Sequence, residues 1–290
     1  MQIGVVLPQT EIGADPAVIR AFAAGAEELG YAHLIAYDHV LGADPEGHPG
    51  WSGPYDVDTT FHEPFVLMGY LAAVTSLELV TSILILPQRQ TALVAKQAAE
   101  VDLLTEGRLR LGVGLGWNPV EYEALGKDFT DRGRRMTEQV RLLRLLWTQR
   151  VVTFDGRYER VTAAGLNPLP VQRPIPIWFG AYAPAALRRA GRIADGWFPN
   201  IGPGPQLDDA IAIVRSAAEA AERDPDTIGM EGRVPLARVS NPVTAVARWR
   251  EANATHVSIN TMGMGATGVD AHLAALAEVA SAMGLTARPS

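Results

Sequence analysis

The sequence predicts an α/β protein that folds as a single (β/α)8 TIM barrel with loop insertions, spanning residues 1–290. Three observations carry this prediction. Apolar strand patterns alternate with amphipathic helix patterns along the whole chain, as in parallel sheets whose crossovers are helices. A length of 290 residues suits one such barrel, which commonly needs about 250. With 48% hydrophobic and 20% charged residues, the chain can bury a large core.

The predicted strands are short apolar runs bounded by turn residues, as expected for strands buried on both faces of a sheet. Between them, apolar residues recur at helical spacing. The strands are predicted at 2–7, 33–37, 77–86, 107–116, 175–180, 196–199, 234–239 and 256–260. The helices are predicted at 16–29, 63–76, 91–105, 184–192 and 205–223, with others starting after Asn118, Asp131 and Asn241 and a last one lined by 273–283.

Two helix starts carry specific capping chemistry. Asp15 and Asn118 can accept hydrogen bonds from free backbone N–H groups of the first turn. Pro16 and Pro119 suit the first helical position because the N–H that proline lacks would be unpaired there. Glu121, three residues after Asn118, is predicted to reach back to the cap.

The stretch 107–126 organises the chain, because it joins a buried strand to a helix through closely spaced glycines. Gly112, Gly114 and Gly116 occur at every second residue and therefore lie on one side of the strand. Their missing side chains leave room for a flat cofactor or for large neighbouring side chains, and the spacing alone does not choose between the two. A dinucleotide-binding fingerprint is excluded because it would need glycine at Trp117.

Two segments are too irregular to be simple connections. Residues 42–62 are rich in Gly, Pro and Asp with interspersed aromatic residues, which predicts an active-site lid. Residues 151–174 form an insertion in which the dipeptide Asp155-Gly156 predicts a β-hairpin.

Composition excludes several classes of function. A net charge of −7 and a pI near 5.4 leave no electrostatic footprint for nucleic acid. No apolar run predicts a membrane span and no export signal is visible, so a cytoplasmic location is expected. The six histidines show no metal-ligand spacing. With no cysteine in the chain, redox chemistry would have to come from a bound cofactor.

In a barrel, residues directly after each strand build the ligand site. At the fifth predicted strand, Gly180 and Ala181 are followed closely by a helix that begins at Pro184, and free N–H groups at a helix start can bind a phosphate. The alternative is an ordinary tight turn. The other residues at strand ends are 8–11, 38–39, 87–90, 114–118, 199–200, 240 and 260–262.

Five motifs in order resemble the luciferase-like monooxygenase superfamily, and within it the branch of oxidoreductases that use the deazaflavin coenzyme F420. They are HEPFVLM at 62–68, TSILILPQR at 81–89, GRLRLGVGLGWN at 107–118, PIWFG at 176–180 and ADGWFP at 194–199. The resemblance covers residues 1–200 by clear motifs and 201–290 only by their pattern.

The resemblance implies a deazaflavin ring at the carboxyl-terminal mouth of the barrel. Asp38 would then lie at the ring edge and His39 beside the site of hydride transfer, where an imidazole can act as a general acid. In relatives a strand bulge with a non-proline cis peptide supports the ring, and this bulge corresponds to Ser82 and Ile83.

The same resemblance places the cofactor phosphate near Gly180 and Ala181. From the glycine spacing, Gly114 and Gly116 are candidates to contact the cofactor. Related dehydrogenases often carry a tryptophan four residues after the histidine and a glutamate after the glycines. This chain has Ala43 and Trp117 at those positions. The difference puts the alcohol and sugar-phosphate substrates of those dehydrogenases, and their proton relay, in doubt for this chain.

The leading hypothesis is therefore hydride transfer between F420 and a small organic substrate. Arg89 and Arg132 are candidates to bind the anionic tail of F420. The alternatives are a monooxygenase that uses reduced FMN and a catalytically silent flavin-binding protein. The family commonly forms homodimers, so a homodimer is expected.

Overall fold

The computed structural model describes residues 1–287, and the last three residues of the predicted domain 1–290 lie outside the described residues. The strands are β1 Gln2–Val6, β2 His33–Ala36, β3 Glu78–Thr81, β4 Leu84–Ile85, β5 Leu109–Gly114, β6 Val152–Asp155, β7 Arg160–Ala164, β8 Ile177–Ala181, β9 Gly196–Pro199, β10 Gly229–Pro235 and β11 His256–Asn260. The helices are α1 Pro16–Glu28, α2 Pro64–Leu71, α3 Thr91–Leu104, α4 Pro119–Ala124, α5 Arg132–Thr148, α6 Pro184–Ile193, α7 Pro205–Glu219, α8 Pro242–Glu251 and α9 Gly268–Met283.

The parallel sheet closes on itself, which confirms the predicted (β/α)8 barrel. In order around the barrel, β1 pairs with β2, β2 with β3, and both β3 and β4 with β5. Next, β5 pairs with β8, β8 with β9, β9 with β10, and β10 with β11. The β1–β11 pairing completes the circle, with Gln2 opposite His256. Closure leaves no free sheet edge in the barrel.

The third barrel position is interrupted, contrary to the continuous strand predicted at 77–86. Val80 pairs with Arg110 on β5, and Leu84 pairs with Val113, so four steps along β3 and β4 match three steps along β5. The extra residue is a β-bulge. The Ser82–Ile83 peptide within it is cis, as the resemblance implied.

Two other predictions concern the insertion and the seventh barrel strand. The hairpin is confirmed, since β6 and β7 are antiparallel. The predicted strand 234–239 is wrong, because β10 begins at Gly229 and residues 236–238 form a 3-10 turn. The apolar pattern fails there because Gly229 and Gly232 make room for the rings of Trp178 and Trp249 while Glu231 points into the barrel.

The predicted caps at both helix starts are present. Asp15 accepts a hydrogen bond from the N–H of Ala17 at 2.8 Å, and Asn118 accepts one from Val120 at 3.0 Å. These bonds satisfy donors that have no partner within the helix. Among the described residues, no helix is long and apolar enough to cross a membrane.

A buried charged cluster fills the amino-terminal half of the barrel interior. Glu231 accepts from Arg110 Nη1 at 2.6 Å and lies 2.7 Å from His33 Nε2. Arg110 also pairs with Glu78 at 2.9 Å, and its guanidinium lies 4.4 Å from the ring centroid of Trp178. Burial raises the pKa of Glu231, but His33 and Arg110 outweigh burial and hold that pKa well below its ordinary value.

We expect Glu231→Gln to lower the free energy of unfolding by about 3–5 kcal/mol, because it leaves the buried Arg110 without its interior counter-ion. Glu78→Gln is the matched control: Glu78 pairs with the same guanidinium but its side chain is 29% exposed, so about 1 kcal/mol or less is expected. Urea unfolding at pH 7 measures both variants. Equal losses would contradict the assignment of Glu231 as the principal counter-ion.

The depressed pKa also sets a pH dependence. A carboxylate with a lowered pKa stabilises the fold fully above its unfolded value, here 4.5, and loses that contribution as the pH falls below it. The difference between the parent protein and Glu231→Gln should therefore shrink below pH 4.5.

Candidate functional site

A cleft opens at the carboxyl-terminal mouth of the barrel, in two adjoining cavities of about 240 and 750 Å³. Four residues line both cavities and so form their common wall, namely Tyr37, Tyr55, Asn200 and Arg233. The smaller cavity is also lined by Asp38, His39, Ser82, Ile83, Ile85, Gly116 and Trp117. The cleft therefore lies where the barrel fold places ligand sites and contains five of the predicted site residues.

His39 lies on the wall of the smaller cavity with its side chain 12% exposed. Its Nδ1 is 3.3 Å from both carboxylate oxygens of Glu121. Three aromatic rings surround the imidazole, with centroids 5.2 Å away for Tyr55, 4.7 Å for Phe61 and 5.5 Å for Trp117. This environment orients the ring and limits access of water to it.

Glu121 does not cap its own helix, so that prediction is wrong. Its Oε1 instead accepts from the N–H groups of Val40 at 2.7 Å and Leu41 at 3.2 Å, across the mouth of the barrel. Burial raises the pKa of Glu121, but His39 and these N–H donors lower it by more. The pKa of Glu121 is therefore below its ordinary value. Glu121 is thus a buried carboxylate, 1% exposed, next to the candidate acid.

The sequence shows Glu121 close to the glycines, but its position in the first turn of a helix predicts a capping role and not a role at the site. The family pattern places a carboxylate directly after the glycines, where this chain has Trp117, and the position of Glu121 three residues after Asn118 predicts a capping group. Glu121 instead reaches the residues that follow β2, and Asn118 Nδ2 donates to the carbonyl of Leu41 at 3.3 Å. A carboxylate–histidine pair is therefore present, supplied from one turn further along the chain.

Asp38 and His39 both line the smaller cavity, but their side chains bind different partners. Its carboxylate accepts from the N–H of Ile85 at 2.9 Å and from Arg89 at 2.8 Å. Arg89 also binds Glu63 at 2.8 Å, so it is already paired and is not free to bind an anionic tail. Burial raises the pKa of Asp38, and the charge of Arg89 opposes that rise.

The bulge presents the side chain of Ile83 between two predicted site glycines. A Cβ added to Gly114 would overlap the end of the Ile83 side chain, and one added to Gly180 would lie 3.0 Å from Ile83 Cγ2. An added Cβ on Gly112 would overlap the carbonyl oxygen of Thr81. The glycine spacing predicts room either for a flat cofactor or for neighbouring side chains. Packing against the neighbouring strand accounts for all of these contacts.

Gly116 differs from the other glycines because it also lines the cleft. Its φ of +64° lies in the left-handed region, and an added Cβ would come within 2.8 Å of Ile85 Cγ2. Contact of Gly114 and Gly116 with a cofactor stays a prediction.

The predicted phosphate seat lies at the end of β8. Ala181 is 4% exposed, and α6 begins three residues later after Ala183, whose side chain provides no cap. Within residues 1–287, the first turn of α6 thus has N–H groups without a side-chain acceptor. Neither Gly180 nor Ala181 is among the residues that line the two cavities, and their role in phosphate binding stays a prediction.

The irregular segment 42–62 packs over His39, where a lid was predicted. Trp51 contacts Trp117 with ring centroids 5.6 Å apart, and Tyr55 contacts Phe61 at 4.9 Å. These two pairs of rings, which we call the aromatic layer, flank the imidazole. Ala43, at the position of the family tryptophan, is only 1% exposed and makes no part of that layer.

Comparison with known proteins adds an independent line of evidence. A protein of Mycobacterium tuberculosis without an assigned function is 38% identical over 205 residues, which are 69% of this chain and 70% of the relative. The F420-dependent glucose-6-phosphate dehydrogenase of Gordonia bronchialis is 32% identical over 247 residues, covering 81% of this chain and 69% of that enzyme.

Among solved structures, the monooxygenase RslO1 from Streptomyces bottropensis superposes with a TM-score of 0.72 and 22% identity, covering 97% of this chain and 98% of that protein. This likeness concerns the fold. The sequence pattern of the luciferase-like monooxygenases matches residues 1–285. As the five motifs predicted, the chain belongs to the luciferase-like monooxygenase family.

Proposed function

We propose that this protein is an F420-dependent oxidoreductase that transfers a hydride between the deazaflavin and a small organic substrate. The observation that carries the proposal is the pair of His39 and buried Glu121 at the wall of a cleft whose floor is the Ser82–Ile83 bulge. The name of the relative from Gordonia bronchialis supports F420 as the cofactor.

The residues of the cleft fit such a cofactor. Ile83 offers a broad apolar contact, and it reaches that position only because Gly114 and Gly180 lack side chains. Asp38 supports the same floor by holding the N–H of Ile85. The residues proposed to hold F420 are Asp38, Ser82, Ile83, Gly114, Gly116, Gly180 and Ala181.

When bound, F420 supplies two-electron hydride chemistry. The chain supplies the proton and the enclosure. With Nδ1 bound to Glu121, His39 is left with Nε2 to donate a proton to, or accept one from, the substrate. Glu121 is a positioning residue that orients the imidazole through Nδ1, and the aromatic layer excludes water.

A second candidate is a monooxygenase dependent on reduced FMN; its support is the fold similarity to RslO1, which is named as a monooxygenase. A silent flavin-binding protein would need a blocked mouth or a histidine that points away. His39 lines the open cavity, which argues against that third candidate.

A homodimer, a cytoplasmic location and one continuous domain through residue 290 are also part of the proposal. Light scattering on purified protein tests the first of these.

Side-by-side titration of the apo-protein should show F420 binding at least tenfold tighter than FMN, a difference of about 1.4 kcal/mol. The reason is the similarity to an F420-dependent relative. Fluorescence of the two cofactors gives both dissociation constants. Equal or reversed affinities would favour the monooxygenase.

His39→Ala should lower turnover about a hundredfold or more while leaving F420 affinity nearly unchanged, because a general acid acts in the transition state. Glu121→Gln should lower turnover by a smaller factor, because the amide can still orient the imidazole through a hydrogen bond but carries no charge. The control is Glu123→Gln on the exposed side of the same helix, which should match the parent protein. Full turnover by His39→Ala would show that the histidine is structural.

Gly114→Ala should leave the protein folded, with an overpacking cost of about 1–3 kcal/mol, but weaken F420 binding tenfold or more, since the new Cβ displaces Ile83. Gly69→Ala on α2 is the control, because nothing lies within 4 Å of its added Cβ. Unchanged F420 affinity in folded Gly114→Ala would remove Ile83 from the cofactor site.

A further inference from the structure

Arg233 is the charged residue common to both cavities of the cleft. It is half-buried on β10, and its guanidinium lies 5.1 Å from the ring centroid of Tyr37. Its Nη2 donates to Ser82 Oγ at 3.1 Å, and its Nε is buried without a partner. Within residues 1–287, no carboxylate lies within 4.0 Å of it to form an ion pair.

Two other arginines, one in the barrel interior and one at its mouth, are neutralised by carboxylates. Arg110 binds Glu78 and Glu231, and Arg89 binds Asp38 and Glu63. Glu231 lies on the same strand as Arg233, two residues earlier, but its oxygens are already engaged deeper in the barrel. A half-buried guanidinium without a counter-ion is costly, so the cleft around Arg233 favours an anion.

The groups beside Arg233 are neutral donors. The phenols of Tyr37 and Tyr55 and the amide of Asn200 line the same wall. Burial raises the pKa of both tyrosines above its ordinary value, so each keeps its hydroxyl proton at neutral pH. These donors can complete the hydrogen bonding of a carboxylate held by the guanidinium fork.

The remaining charges of the larger cavity nearly cancel. Glu11 accepts from the N–H of Gly263 at 2.8 Å and lies 3.5 Å from His272, and Arg238 lies exposed at the rim. One unpaired interior cation matches a singly charged carboxylate better than a doubly charged phosphate. Arg233 is also separated from the predicted phosphate seat, because β9 lies between β8 and β10.

We propose that Arg233, with Tyr37 and Tyr55, binds the carboxylate of a small organic acid, and that the substrate of this enzyme is such an acid. The substrate assignment rests on the proposed oxidoreductase function, whereas the binding site itself does not. Ser82 joins the bulge to Arg233, so the acid bound there lies next to the Ile83 floor and within the cavity that His39 lines.

The test compares acids with their uncharged amides. Calorimetric titration of the full chain, with and without F420, uses crotonate and benzoate against crotonamide and benzamide. The acids should bind about 10- to 100-fold tighter than the amides, as expected for a charge-assisted hydrogen bond. Arg233→Gln should remove that preference, while Arg20→Gln, an exposed arginine on α1, should retain it.

Each outcome decides the proposal. Equal binding of acids and amides, no binding of either, or an acid preference that survives in Arg233→Gln would overturn it. Tighter Arg233-dependent binding of phenyl phosphate than of benzoate would overturn the choice of a carboxylate.

A second variant keeps the test valid if Arg233→Gln does not fold. Tyr55→Phe should weaken acid binding and leave amide binding unchanged, and an unchanged acid preference in this variant would count against the site. An acid preference in a protein that binds no F420 would support the anion site and contradict the proposed function.

Discussion

The extra residue between β3 and β4 determines the shape of the cleft. A barrel strand that kept its register there would bury residue 83 in the ladder, whereas the bulge turns Ile83 toward the space left by Gly114 and Gly180. The Thr81 hydroxyl donates to the carbonyl of Gly112, and the Asp38 carboxylate accepts from the N–H of Ile85. These two hydrogen bonds hold the two sides of the bulge. The missing side chains of these glycines therefore make room for the neighbouring strand, and the shape of any ligand site follows from that packing.

Charge inside the barrel is arranged in two layers. The lower layer, around Glu231 and Arg110, is closed by ion pairs and stabilises the fold. The upper layer faces the cleft and contains Arg233, which is unpaired within the described residues. A paired interior charge is structural, whereas an unpaired one at an open mouth is available to a ligand.

The carboxylate–histidine pair depends on two elements that are distant in the chain. Glu121 lies in the first turn of α4, after β5, and His39 follows β2, so the two residues are 82 positions apart in sequence. The backbone N–H groups of Val40 and Leu41 bind the same carboxylate, which fixes the loop that carries the histidine. The Glu121 carboxylate thus holds the backbone just before segment 42–62 and places a negative charge beside the candidate acid His39.

The barrel, the order of its elements, the caps at Asp15 and Asn118 and the family could all be predicted from the sequence, because they depend on local periodicity and contiguous motifs. The partner of Glu121, the early start of β10 at Gly229 and the packing against the alternate glycines could not be predicted in this way. Each of these depends on a side chain from another strand or helix, such as His39, Trp178 or Ile83, that local sequence does not identify. A residue type limits what a position can do, and the neighbour brought to it by barrel closure determines what it does.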